Sequence, residues 1–337
     1  MKHCIFCIIV SFILLSFALA GCSGAASSEM PSVSEKTDSD YAVMVLSETE
    51  TTVTVQDAEG EKILNKSPQR VVCLYNSLLD LWYLNGGTAI ARVAGDTELP
   101  PEAASLPEAG SMSSIGLEQV VAYEPDLVLL TATLDGQREI AKGLKENNIP
   151  YLLCDLREDP FGSFGRYSYL FSKINAQDKL FQEKIEPVIQ NCLELSEKTR
   201  AIKDQPSVAV LFSAPKYVKA ETNLSQTGQM VDMLGADNIL APEEAPSDGS
   251  VRVDLSFEIL LARNPDYIFV VTMGDEEKCR ATFEQTLLSN PAWGELDAVK
   301  EGRMIYLPKE YSLNKPNQRY YEALSYIAGI LYPDFQI

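Results

Sequence analysis

Few side chains in this 337-residue sequence can do chemistry of the usual catalytic kinds. The only histidine is His3, inside an N-terminal apolar stretch that reads as a cleavable signal. Once that stretch is removed, no imidazole is left, and histidine-based catalysis and histidine metal sites drop out. Cys4 and Cys7 leave with it, Cys22 stands at its end, and Cys73, Cys154, Cys192 and Cys279 are dispersed without CxxC or zinc spacing. Cys73 and Cys154 sit inside apolar strand-like runs, where a thiol behaves as a small buried hydrophobe. No G-x-S-x-G, H-E-x-x-H, Walker A or G-x-G-x-x-G pattern is present, and Gly86-Gly87 reads as a helix terminus. Carboxylate pairs stay open, because 48 acids offer many accidental pairings. The chemistry that remains is recognition by aromatic and cationic side chains on short polar segments. The candidates are Tyr75 and Asn76, Ser113, Arg157, the Lys216-Tyr217-Val218-Lys219 run, Arg252, Met273, Tyr311 and Asn314, with Lys309 and Lys315 adding charge. Such a set suits a large, flat or polyoxygenated anionic ligand.

The elements that must position these residues follow from hydropathy. With 46% hydrophobic and 23% charged residues the chain folds around a core. Its 28 Lys and Arg against 48 Asp and Glu give a formal charge of −20, which argues against gripping nucleic acid or anionic lipid. Lys2 precedes an apolar run from Ile5 to Ala20, too short for a comfortable membrane span and shaped like a signal-peptide core. Its last residues, Leu19-Ala20-Gly21-Cys22, resemble the bacterial lipoprotein lipobox. That resemblance implies that Cys22 carries acyl chains such as palmitate, becomes the mature N-terminus and anchors the protein to a membrane. Ordinary A-x-A-like cleavage at Ala18 and Ala20 is the competing reading.

Residues 23 to 40 are small, polar and without periodicity, as in a flexible tether. Two β-rich stretches with a turn near Glu59-Gly60 then predict a hairpin. From Pro68 onward short apolar runs alternate with amphipathic segments: Arg70 to Leu74, Leu127 to Leu130, Tyr151 to Cys154, Val208 to Phe212, Tyr267 to Val271 and Met304 to Leu307. This alternation predicts parallel sheets faced by helices. After the first run, Ser77 is placed to cap a helix that ends at Gly86-Gly87. Gly165 to Lys203 reads as helix broken at Asn175 to Asp178, with Pro187 kinking it or shifting its effective start.

An internal repeat is the most informative feature. Leu117-Glu118 through Pro125-Asp126 and on to Leu130 aligns with Phe257-Glu258 through Pro265-Asp266 and on to Val270, 140 residues later. Each copy reads as a short helix ended by Pro-Asp and turned into a buried strand. Two copies at domain-sized spacing predict two similar α/β lobes. In open α/β sheets ligands sit beyond the carboxyl ends of the strands, and the candidate residues above occupy those loops.

The chain resembles the solute-binding lipoproteins of bacterial ABC importers for iron-siderophore, haem and cobalamin. The resemblance runs from about Val53 to Pro333 and is carried by Pro68 to Val72, Val93 to Gly95 with Leu99 to Ala103, Gly110 to Asp126, the connecting helix, Val231 to Ile239, and Phe257 to Asp266. It implies an α/β fold of two parallel-sheet lobes joined by a long rigid connecting helix, with the ligand in the interlobe cleft and little domain closure. The expected segments are a signal peptide at 1–21, a tether at 22–40, an N-terminal lobe with leading hairpin at 41–164, a connecting helical region at 165–203 and a C-terminal lobe at 204–337. It further implies that Glu118 and Glu258, one on each lobe, dock onto a dimeric permease. The functional expectation is a monomeric, lipid-anchored, extracytoplasmic binding protein. It is not an enzyme, has no resident cofactor or metal site, and hands a ferric siderophore, haem or corrinoid to the permease. A glycan-binding or glycan-cleaving lipoprotein, and a binding protein that serves a sensor, are the rival readings.

Overall fold

The computed structural model describes residues 39–95, 99–112, 114–156, 159–241, 246, 250–288, 290–313 and 315–335. The expected signal peptide, Cys22, most of the tether, and the site candidates Ser113, Arg157 and Asn314 lie outside the described residues.

Alternating polarity gives the leading segment its shape. Strands β1 (Val45–Glu48), β2 (Thr52–Asp57) and β3 (Gly60–Asn65) form an antiparallel sheet. Asp57 pairs with Gly60, so the β2–β3 turn is Ala58-Glu59. Val53, Val55 and Asp57 point inward from β2, and the Asp57 carboxylate accepts the Leu153 N–H at 2.9 Å, which fastens the hairpin to the first lobe.

The continuous apolar runs become buried parallel strands. The first lobe carries β4 (Val71–Cys73), β5 (Ala91–Ala94), β6 (Glu108–Ser111), β7 (Leu127–Thr131) and β8 (Tyr151–Cys154), all parallel in the order β6-β5-β4-β7-β8. The second lobe carries β9 (Ser207–Ala214), β10 (Tyr217–Glu221), β11 (Asp237–Asn238), β12 (Arg252–Val253), β13 (Tyr267–Thr272) and β14 (Met304–Tyr306). Here β11, β13 and β14 run parallel to β9 in the main body of the sheet. β10 folds back antiparallel on β9 through the two-residue turn Pro215-Lys216, and β12 pairs antiparallel with β10. The α/β class and its two lobes are as expected; the hairpin in the second sheet is an addition the apolar runs did not signal.

Period-two alternation divides each sheet between two cores. Val72, Leu74, Val128 and Leu130 face a cluster of the first lobe alone, and Ala209, Leu211, Ile268 and Val270 face one of the second lobe alone. The opposite faces, with Val71, Cys73 and Leu129 on one sheet and Val210, Phe212 and Phe269 on the other, join a single continuous cluster. That cluster runs through the helices Pro160–Ile174, Glu186–Arg200 and Tyr320–Leu331. The lobes therefore share packed core as well as chain.

The connector breaks where the sequence predicts, at Asn175 to Gln177. Pro187 sits in the first turn of Glu186–Arg200, where its missing N–H costs nothing, and a π-helical turn at Phe181–Ile185 precedes it. One reading is corrected: Ser77 does not cap the following helix. That helix spans Asn76–Leu84, and Tyr75, in extended conformation, stands at its N-cap with its carbonyl accepting the Leu78 and Leu79 N–H groups. Among the described residues no helix is long and apolar enough to cross a membrane.

Candidate functional site

Two cavities open where the lobes face each other. The larger, of about 650 Å³, lies between the helix that starts at Asn76 and the Leu313 to Arg319 segment. Tyr75, Asn76, Asp80 and Tyr83 line its first-lobe wall, with Pro100 and Glu102 beyond them. Lys315, Asn317 and Arg319 line the other wall. The smaller, of about 250 Å³, has Thr131, Thr133, Leu156 and Pro160 on the first lobe against Glu221, Gln226 and Arg252 on the second. Three residues line both cavities: Tyr75, Leu313 and Lys315.

Backbone ends place these side chains. Tyr75 follows β4, Thr131 ends β7 and Leu156 follows β8, so this wall is built at the carboxyl ends of strands, with Leu313 and Lys315 brought to it beyond the short helix Lys309–Ser312 that comes after β14. Buried Gln137 clamps two of the ends, accepting the Thr131 N–H at 2.8 Å and donating to the Leu74 carbonyl at 2.7 Å. Across the cleft, Gln229 accepts the Phe161 N–H at 2.7 Å, and its amide donates to Asp159, the N-cap of Pro160–Ile174. Asn317 donates to Asp80 from the opposite wall.

The charges are unequal in how they are compensated. Glu221, 2% exposed, accepts from Arg252 at 3.1 and 3.2 Å and from the Ser225 hydroxyl. Burial still pushes its carboxyl above the usual range, against the pull of Arg252 and Ser225. The Arg252 guanidinium also lies over the Phe212 ring, 3.5 Å from its centroid. Lys315 donates to the Leu156 carbonyl at 2.9 Å, and among the described residues no carboxylate forms an ion pair with it. Burial pushes its ammonium down to about 8, with Asp155 and Asp159 acting the other way.

Of the residues singled out in the sequence, Tyr75, Asn76 and Arg252 come together at these cavities. Lys216, Tyr217, Lys219, Met273 and Tyr311 line neither. Lys216 occupies the exposed β9–β10 turn, and Tyr217, 42% exposed, packs its ring against Phe212. Lys219 pairs with Asp254 at 3.0 Å. Met273 is 41% exposed, and Tyr311 turns its ring to Tyr326, 5.5 Å away, while its carbonyl accepts from Gln226. Lys315, an added cation in the sequence, lines both cavities, and Glu221, which no motif in the sequence singles out, lines the smaller. Among the described residues no group of three or more His, Cys, Asp or Glu side chains is placed to hold a metal ion. The four described cysteines are free and buried.

Residues 71–311, which include most of the residues that line this cleft, match the family model described as periplasmic binding protein. The chain belongs to the periplasmic binding protein family. Among its relatives, the vitamin B12-binding protein of Pectobacterium atrosepticum is 26% identical over 228 residues, 66% of this chain and 79% of that protein. The Fe(3+)-citrate-binding protein of Bacillus subtilis is 24% identical over 304 residues, 88% and 87% of the two chains. Among solved structures, Staphylococcus aureus IsdE complexed with heme shares the fold at a TM-score of 0.62 and 20% identity, covering 78% of this chain and 98% of that one. The two curated relatives are named for binding, not for a reaction, in line with the expectation that this chain is not an enzyme.

Proposed function

We propose that this protein is a monomeric, lipid-anchored, extracytoplasmic solute-binding protein that captures a metal chelate in the interlobe cleft and delivers it to the permease dimer of an ABC importer. The observation that carries the reading is the cleft itself. In a periplasmic binding protein, an aromatic side chain, Tyr75, and two cations, Arg252 and Lys315, converge there from both lobes. The relatives named for Fe(3+)-citrate and vitamin B12 support a metal complex as the cargo class. Cys22 is the proposed anchor, and Glu118 and Glu258 are the proposed docking acids.

Titration of the purified protein with ferric citrate, a ferric catecholate, haemin and cyanocobalamin, followed by tyrosine and tryptophan fluorescence, tests the cargo. One of the four is expected to quench at micromolar or lower concentration. Saturable binding of a free metal ion or a sugar, with all four silent, rejects the reading. For the anchor, Cys22→Ser is expected to move the protein from the membrane to the soluble fraction.

A further inference from the structure

Tyr75, Leu313 and Lys315 form the partition between the two cavities, and Lys315 is the charged member of the three. Its ammonium has three donors, and among the described residues one of them is taken, by the Leu156 carbonyl. Arg252, by contrast, is already matched by Glu221, its cross-strand neighbour on the same wall of the smaller cavity. We infer that the cargo is an anionic chelate that brings a carboxylate-type oxygen to this partition and takes the Lys315 ammonium as its counter-ion. This rests on the carrier reading above and narrows it: a ferric polycarboxylate or a haem with its propionates fits, whereas a net-neutral corrinoid brings no carboxylate to Lys315.

The surroundings of Lys315 set the pH behaviour. Asp155, after β8, and Asp159, at the N-cap of Pro160–Ile174, act on it from the first lobe, and Asp159 is itself paired with Arg166 at 3.2 Å. Glu221 and Arg252 face the smaller cavity, and Asp80, Glu102 and Arg319 the larger. Burial places the free ammonium at about 8, so it is charged at pH 7 and mostly neutral at pH 9. An anion beside it favours the charged form, so binding takes up a proton above pH 8 and affinity falls as pH rises through that value.

The full chain, Lys315→Met and Lys315→Arg are titrated with ferric citrate, haemin and cyanocobalamin at pH 7 and pH 9, with thermal melting as the folding control. The wild type is expected to bind one of the two carboxylate probes and to lose about tenfold in affinity between the two pH values. Which carboxylate probe binds decides between the two sources of the anion. Lys315→Met is expected to weaken that binding at pH 7 by about tenfold or more and to abolish the pH dependence. Lys315→Arg keeps its charge at both pH values and is expected to bind with a flat profile. Carboxylate binding that is indifferent to Lys315, or tight cyanocobalamin binding unaffected by Lys315→Met, overturns the inference and leaves the carrier reading intact. A folded wild type that binds none of the three overturns the inference, and overturns the carrier reading as well where a ferric catecholate is also silent.

Discussion

Arg252 makes the cleft wall out of two otherwise incompatible neighbours, the Phe212 ring beneath it and the buried Glu221 beside it. Removing the guanidinium leaves a carboxylate in a site where burial already raises its pKa. A raised folded pKa means the folded state holds its proton longer than the unfolded chain. Its contribution is therefore present below the ordinary carboxyl range and is lost as pH rises through the raised value. Arg252→Met extends that window upward. It is expected to cost about 3–5 kcal/mol at pH 8, and distinctly less at pH 5 where Glu221 can protonate. Urea melts at the two pH values check this, and adding Glu221→Gln should restore most of the loss at pH 8. A deficit that is the same at both pH values, or that Glu221→Gln leaves unchanged, refutes the account. Arg252 was legible in the sequence as a cation on a candidate loop, but so were Lys216 and Lys219. What separates them is the turn at Pro215-Lys216, which leaves Lys216 exposed and folds Lys219 back onto β9, while Arg252 lies on the strand beyond, beside Glu221. Glu221 was illegible because nothing in Val218 to Thr222 marks one acid of a polar-looking strand as buried.

The repeat acquires a physical reason once its elements are placed. Asp126 accepts the Gln69 and Arg70 N–H groups at 2.7 and 2.8 Å, and Asp266 accepts the Ser207 N–H at 2.8 Å, so each Pro-Asp fastens the strand that opens its own lobe. Glu124 and Asn264, at equivalent positions, both take left-handed backbone to end their helices. The pattern was readable because each residue acts through nearby backbone, and the alternation of apolar runs located β4, β7, β8, β9, β13 and β14 for the same reason. Elements set by tertiary contact were not readable, such as Tyr75 displacing Ser77 at its helix cap. The turn into the helix Gln226–Met233 is another case. Gly228 there gives its N–H to the Ser225 hydroxyl at 2.9 Å, and a Cβ on it would stand 2.1 Å from the Thr222 carbonyl oxygen. Gly228→Ala must shift this turn, whose Ser225 and Gln226 line the smaller cavity. A loss of about 1–3 kcal/mol in stability is expected, together with weaker ligand binding. Unchanged urea midpoint and affinity would show that the turn has room to relax.

At the scale of the whole molecule, two features have to be reconciled: a core shared by both lobes and a cargo that must be handed over. Sheet faces from each lobe pack against the same three helices, and Gln229 and Asn317 tie the lobes across the cleft, so large hinge closure would break packed core and hydrogen bonds together. A carrier with so little freedom must be recognised by its surface, by the permease reading both lobes at once. Glu118 and Glu258 suit that role: both are exposed, each lies in the first turn of a repeated short helix, and among the described residues neither forms an ion pair. Like charges on pseudo-equivalent lobes match a dimeric partner with paired cations. The competing account, that each acid only favours its helix N-terminus, allows about 0.3–1 kcal/mol of stability apiece. The two accounts separate in one experiment. Glu118→Ala with Glu258→Ala is expected to leave chelate affinity unchanged and melting nearly so, while uptake in cells lacking the native protein is lost. Each single variant should lie between, because half of a two-point contact remains. Normal transport by the double variant would leave only the helix-terminus role, and would send the search for the docking surface elsewhere on these two lobes.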